Sequence, residues 1–490
     1  MTNHTEQDMP FIPAPRITTV AGYLLIRLAE AGVISLFGVP GDDNLPLMDA
    51  ITARPDLAWI GMATAQGAGY AADSYARLRG LGALVTTFGV GELSAMNAIA
   101  GAYAESVPMV HIVGTPALPA REPDGAAATP HHNLPGRDYG HFARMAAEVT
   151  AAQADLRPAT APEEIDRVLS TALRASRPVY LTIPADTADM PVRAPVGRLP
   201  AAAEQADPAA RHRVTSQVRE LAIAGNPPAA MQSTIRDERL TQASLWAAVQ
   251  RFLRPGDLLF IDQGTASHAA AQLTLPDGAQ LVSRPLWASI GWGVPAVLGA
   301  SLAAPDRRVV LVAGDGAMQQ AAAELGTLLG QGLAPVIIVL NNNGYTVERA
   351  IRHPDASYHQ IPAWNWTALP AAVGPVTSPV SMWVSTSRWD RWWTAAWSAL
   401  SLMTTSPDSA CWRPSESTPS TACANRTTGK IRAIRNCPGG RSNSSGYCHL
   451  LTVLLKLVLT LLFGPLHDKS AILSGDPFAG QHRVHLLSWG

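Results

Sequence analysis

An acidic residue between two glycines, Gly314-Asp315-Gly316, closes an apolar run at 308–313, and a pair of amides, Asn341-Asn342, closes the next apolar run at 335–340. If both runs are neighbouring parallel strands, acid and amide stand at the carboxyl edge of one sheet, where open α/β folds bind ligands. A carboxylate and an amide oxygen are hard donors suited to Mg2+ or Ca2+, and Mg2+ completes its shell with diphosphate oxygens and water. Glycine lets the backbone approach a phosphate closely, and a helix that follows aims its N-terminus at the anion. Gly-Asp-Gly by itself fits a ligand-free turn equally well. Joined by one helix and one strand to paired asparagines, it points to a metal–diphosphate site.

Proton chemistry has its own set of residues. Asp42 follows Pro40-Gly41, His131-His132 sits in a polar stretch, and Glu348 follows Asn342-Asn343-Gly344. Imidazoles and buried carboxylates can give and take protons near neutral pH. Taken singly, each has a plainer role: Asp42 as a turn residue, the histidines as solvated surface, Glu348 as a charge at a helix start. The four cysteines, Cys411, Cys423, Cys437 and Cys448, form no CxxC pair and fit no common zinc spacing, so they read as incidental thiols.

The elements that must position these residues read as two α/β units. Val20, Leu24, Leu28 and Ala31 share one helical face, and apolar strands are expected at 33–39, 83–88, 109–113 and 179–183. The same grammar resumes with a helix at 244–253, a strand at 257–261, a helix at 289–303, a strand at 308–313, a helix at 318–329 and a strand at 335–340. Strands apolar throughout and separated by helices imply parallel sheets covered on both faces. The expected organisation is therefore a first unit at 14–192, a linker at 193–239, a second unit at 240–374, and a tail at 375–490. In that tail Trp, Ser, Thr, Arg and every cysteine accumulate while periodicity fades. Out-of-frame translation or a low-complexity appendage would each produce such a tail, and sequencing the gene distinguishes them.

Composition narrows the classes. The 490 residues allow about three domains; 47% hydrophobic and 15% charged residues permit a large core. A net charge of −1 gives no electrostatic case for nucleic acid or an anionic membrane. The apolar stretch at 452–464 contains Lys456 and is too short to span a bilayer. The first residues lack a basic region followed by an apolar core, so a cytoplasmic protein is expected.

Several stretches together resemble the thiamine-diphosphate- and Mg2+-dependent 2-oxo-acid decarboxylases, of the pyruvate or indolepyruvate decarboxylase kind. They are Phe37-Gly-Val-Pro-Gly-Asp42, His131-His132, Pro285-Leu-Trp-Ala-Ser-Ile290-Gly291, Gly314-Asp315-Gly316, the run from Asn342 through Gly344 to Glu348, and the run from Tyr358 to Trp366. The resemblance implies two doubly wound parallel-sheet cofactor domains and a homodimer or homotetramer, with the cofactor between the first domain of one subunit and the metal domain of another. It implies Mg2+ ligation by Asp315, Asn342 and the backbone carbonyl of Gly344. Cofactor contacts are implied at Gly316 and Ala317, at Ile290 beneath the bent cofactor, at the Ala288 backbone carbonyl, which would accept from the cofactor's amino group, and at Thr265 in Gln263-Gly264-Thr265. Asp42, His131, His132 and Glu348 fall at the substrate end, where a carbon must be protonated and an aldehyde released. The substrate class is a 2-oxo acid, converted to an aldehyde and CO2. A carboligase of the acetolactate-synthase kind is the neighbouring reading, and a damaged, inactive relative is the reading from another class.

Three features depart from that family. Ala65 stands where its members carry a glutamate that hydrogen-bonds the cofactor's aminopyrimidine, and no carboxylate lies between Asp56 and Asp73. The stretch 193–239 is too short for the family's middle domain, so that domain is expected to be largely missing. The resemblance ends near Gly374, which would leave an irregular tail and an uncovered sheet edge.

Overall fold

The computed structural model describes residues 16–122, 131–136, 138–199, 242–374, 381–385 and 485–489. Most of the expected linker at 193–239 and of the tail at 375–490 lies outside the described residues.

The first half runs β1 (Ile17–Thr19), α1 (Val20–Glu30), β2 (Ser35–Gly38), α2 (Leu45–Thr52), β3 (Ala58–Gly61), α3 (Ala65–Arg79), β4 (Gly82–Thr87), α4 (Val90–Ala104), β5 (Met109–Thr115), α5 (His141–Ala147), β6 (Gln153–Asp155), α6 (Ala161–Ala175), β7 (Val179–Pro184) and β8 (Pro191–Arg193). β1 and β8 pair antiparallel. The other six strands form one parallel sheet in the order β3-β2-β4-β5-β7-β6. β4, β5 and β7 are buried at every position, which is why they read as mainly apolar runs without alternation, with Thr86, Thr87, His111, Thr115 and Thr182 as buried polar exceptions. α6 packs by spacing: Ile165, Val168, Leu169 and Ala172 are buried on one face.

The second half runs α7 (Gln242–Phe252), β9 (Leu258–Ile261), α8 (Thr265–Ala270), β10 (Gln280–Val282), α9 (Gly293–Ala303), β11 (Val309–Gly314), α10 (Asp315–Gln320), α11 (Ala323–Gly330), β12 (Val336–Leu340), α12 (Thr346–Ile351) and α13 (Leu369–Val373). Its sheet is also parallel, with β13 (Ser381–Ser385) and β14 (His485–Trp489) completing the order β10-β9-β11-β12-β14-β13. The edge of β12 is thus paired, by β14, rather than bare.

Two expected helices are corrected. The helix at 289–303 begins only at Gly293, because Ala288 (φ 58°) and Gly291 (φ 86°) turn the chain out of the helical region. The helix at 318–329 is two helices, broken where Ala321 adopts φ −126°. Apolar periodicity registers neither a turn nor a break among apolar residues.

The two halves meet along α3 and α9, and the contact is tight because both helices present small residues. Ala68, Ala71 and Ala72 of α3 and Ala296 and Ala300 of α9 are fully buried. A side chain on Gly299 would meet the backbone of Ala71, with a Cβ 2.8 Å from its carbonyl carbon. Backbone cannot rotate away as a side chain can. Gly299→Ala gains about 1 kcal/mol of helix propensity but incurs overpacking of about 1–3 kcal/mol. Net destabilisation is expected, seen as a lower denaturation midpoint; an unchanged or raised midpoint would contradict the tight crossing.

Polar ties reinforce the contact. Glu105 accepts from the backbone N–H groups of Leu286 (2.8 Å) and Trp287 (3.1 Å). The Trp292 indole donates to Asp73 at 3.2 Å, and Tyr70 donates to Ser289 at 3.1 Å.

Candidate active site

β11 delivers Asp315 to the carboxyl edge of the second sheet, and β12 delivers Asn341 and Asn342 beside it, in parallel register. Asp315 is buried; Oδ1 accepts from Gly316 N at 2.9 Å and Oδ2 from Gly344 N at 3.1 Å. Burial pushes its carboxyl pKa up, and those backbone donors pull it back.

The Asn342 side-chain oxygen lies 2.8 Å from the Gly344 carbonyl oxygen and 3.3 Å from Asp315 Oδ1. In this orientation the Asn342 oxygen faces only acceptors, an arrangement that suits a bound cation and is otherwise repulsive. Turning the amide over would replace that repulsion with hydrogen bonds. A Mg2+ ion with bonds of 2.0–2.1 Å spaces adjacent octahedral oxygens about 2.9 Å apart. The donor types therefore fit a hard divalent cation, and the 2.8 Å separation matches that spacing. Gly316 and Ala317 are buried in the first turn of α10, and the Tyr345 ring lies over Gly316.

The remaining expected cofactor contacts lie on the same half. Ile290 is half-buried, Ala288 is exposed with its left-handed backbone, and Thr265 is the first residue of α8.

Asp42, His131 and His132 converge on the first half. Asp42 Oδ2 is 2.9 Å from His131 Nε2, and the two imidazole centroids are 4.0 Å apart. Glu348 is not part of that cluster; it is exposed in the first turn of α12 on the other half. The structure thus makes two groups of the expected site residues: the Asp42 cluster, and the Asp315–Asn342–Gly344 cluster with its neighbours.

Sequence reasoning missed three acidic residues. Asp43 is half-buried beside Asp42, and burial together with the Asp42 charge raises its carboxyl pKa to about 6. The doubled aspartate after Gly41 was its only signal. Glu324 reaches the start of α3, where its carboxylate accepts from Ala63 N (3.1 Å), Thr64 N (2.9 Å) and Thr64 Oγ1 (2.9 Å). It lies beside buried Ala65, and no local pattern could announce a partner 260 residues away.

Glu92, at the start of α4, accepts from Gly89 N at 2.8 Å and from the Tyr180 hydroxyl at 2.5 Å. Burial lifts its carboxyl pKa from 4.5 to about 7. A raised folded-state pKa means that the folded chain keeps this proton longer than the unfolded one. The stabilisation is full below pH 4.5 and is lost as pH rises through about 7. Glu92→Gln, whose amide can serve both partners, should flatten the pH dependence of stability across that window by on the order of 3 kcal/mol. Denaturation midpoints at three pH values test this; an unaltered slope would refute it.

Comparisons with known proteins agree with these two halves. A family described as thiamine pyrophosphate enzyme, N-terminal TPP binding domain, matches residues 18–137, and its C-terminal TPP binding domain counterpart matches residues 262–374. An alpha-keto-acid decarboxylase from Mycobacterium bovis is 38% identical over 496 residues, spanning 73% of this chain and 88% of the relative. One of the same name from Mycolicibacterium paratuberculosis is 37% identical, spanning 73% and 87%. Among solved structures, a thiamine diphosphate-dependent 4-hydroxybenzoylformate decarboxylase from Rhodococcus jostii superposes with a TM-score of 0.60 at 15% identity, covering 78% of this chain and 97% of that one. That last likeness speaks to fold alone.

Proposed function

Because the chain belongs to the thiamine-pyrophosphate-dependent 2-oxo-acid decarboxylases, a family of carboxy-lyases, we propose that it releases CO2 from a 2-oxo acid at a site anchored by Mg2+ on Asp315, Asn342 and Gly344. The observation that supports the metal assignment is the convergence of the Asn342 amide on the Gly344 carbonyl oxygen, at 2.8 Å, and on Asp315 Oδ1, at 3.3 Å.

When bound, thiamine diphosphate supplies the electron sink for loss of CO2. The chain's own residues do the rest. Gly316 and Ala317 offer a backbone that a diphosphate can approach. Ile290 would prop the bent cofactor, the Ala288 backbone carbonyl would accept from its amino group, and Thr265 would contact it. Asp42, His131 and His132 serve proton transfer at the substrate end, and the 2.9 Å contact between Asp42 and His131 keeps that imidazole oriented. Glu348 belongs to the same proton chemistry. It stands on the half opposite the Asp42 cluster, which fits a site completed between two copies of the chain. In this reading 14–192 is the pyrimidine-side domain, 240–374 the diphosphate and metal domain, 193–239 the remnant of a middle domain, and 375–490 an aberrant tail.

One observation favours a second reading, that of an impaired relative. The position beside the cofactor ring is Ala65, buried at the start of α3 and unable to move a proton. No helix among the described residues is long and apolar enough to cross a membrane, and a small, freely diffusing 2-oxo acid in aqueous surroundings suits the cytoplasm.

Calorimetric titration with thiamine diphosphate and Mg2+, followed by CO2 release from a panel of 2-oxo acids, tests both readings. Mg2+-dependent binding with aldehyde formation is expected. Absence of binding overturns the enzyme reading, acetoin-type products favour the carboligase, and binding without turnover favours the impaired relative.

A further inference from the structure

We propose that Asp42, His131 and His132 form a binding site for a borderline-soft divalent cation of the Zn2+ class, separate from the hard-oxygen site at Asp315, and that its occupation stops turnover. The second half of that statement rests on the catalytic reading of this cluster; the first half does not.

The donor set is two imidazoles and one carboxylate, the combination that selects Zn2+ and its first-row neighbours over Mg2+. One ligand atom from each residue lies within 4.8 Å of the other two. Tetrahedral Zn2+ with bonds of about 2.0–2.2 Å spaces its ligand atoms roughly 3.3–3.5 Å apart. Asp42 and His131 already lie inside that spacing, at 2.9 Å. Their side chains are 53% and 64% exposed, so both have room to reorient toward an ion entering from solvent.

His132 is the fixed member. Its backbone sits at φ 68°, and its carbonyl oxygen occupies the space that a side chain on Gly89 would need. Its Nδ1 is buried and has no hydrogen-bond partner among the described residues. A shielded imidazole nitrogen with nothing to bond calls for a partner, and one of the two His132 ring nitrogens is among the clustered ligand atoms.

The surrounding charges favour a cation. Asp43 adds a second carboxylate behind Asp42. Arg121, the nearby positive group, is engaged by Asp155 at 3.0 Å. Three protein ligands leave a fourth position open for water, so the site binds reversibly. A bound ion takes up the imidazole lone pairs and the carboxylate that proton transfer needs, which makes Zn2+ an inhibitor at the substrate end.

Equilibrium dialysis of the full chain tests the site, with thiols alkylated to silence the four cysteines and with saturating Mg2+ and thiamine diphosphate to fill the other site. We expect one Zn2+ per chain. His131→Ala and His132→Ala should each weaken binding about tenfold or more, with the circular dichroism spectrum unchanged. Zn2+ should also protect both histidines of the unmutated protein from diethylpyrocarbonate, read by mass mapping, which does not depend on any variant folding. Zn2+ binding at wild-type strength in both variants, or no protection, overturns the site. Zn2+ that binds without slowing CO2 release leaves the cation site standing and overturns the inhibition. If Zn2+ fails to bind while His131→Ala abolishes CO2 release, the proposal falls and the catalytic reading survives.

Discussion

Asp315→Asn is expected to weaken thiamine diphosphate binding by about 100-fold or more and to abolish its dependence on Mg2+. Two effects add. The charge that a hard cation requires is removed from the three-oxygen set with Asn342 and Gly344. The buried side chain also now presents an NH2 group to one of two backbone N–H donors, Gly316 or Gly344, so a donor faces a donor. The second effect alone costs about 1–3 kcal/mol, roughly a five- to 150-fold change if it is felt in the bound state. Calorimetry at several Mg2+ concentrations reads both. Binding that keeps wild-type strength and Mg2+ dependence would remove Asp315 from the metal site.

Ala65→Glu is expected to raise the rate of CO2 release by about 10²–10⁴ while leaving cofactor affinity nearly unchanged, because a positioned proton carrier acts on rate rather than on binding. Position 65 is the first residue of α3, where a carboxylate also gains from the helix N-terminus. The Glu324 carboxylate already accepts three hydrogen bonds from residues 63 and 64. A second carboxylate beside it would have its pKa raised by like charge and burial, which suits a group that must hold and release a proton near neutral pH. CO2 release by the variant, compared with wild type at saturating cofactor, checks the gain. An inert variant that still binds cofactor shifts the fault to the shortened middle region or to the tail.

Much of the fold was legible because its strands are buried on both faces. β4, β5, β7, β9, β11 and β12 each stand where a mainly apolar run stood, to within two residues. β6 and β10, three residues each, were too short and too mixed to register. The break at Ala321 escaped for a different reason: Ala321, Ala322 and Ala323 are all compatible with helix, and only the local geometry ends one helix and starts the next.

The sequence by itself determined the residue types, their chain order and the strand ends on which Asp315 and Asn342 sit, because parallel pairing of adjacent apolar strands leaves the turns that follow them at one edge. It also showed that position 65 is alanine, which no folding can remedy. Only the tertiary structure decided which distant groups meet: Asp42 with His131 and His132, Glu324 with the start of α3, Glu105 with Leu286 and Trp287, Gly299 with Ala71. Those meetings depend on how sheets and helices close on one another, and a carboxylate carries no local mark of the backbone it will cap from hundreds of residues away.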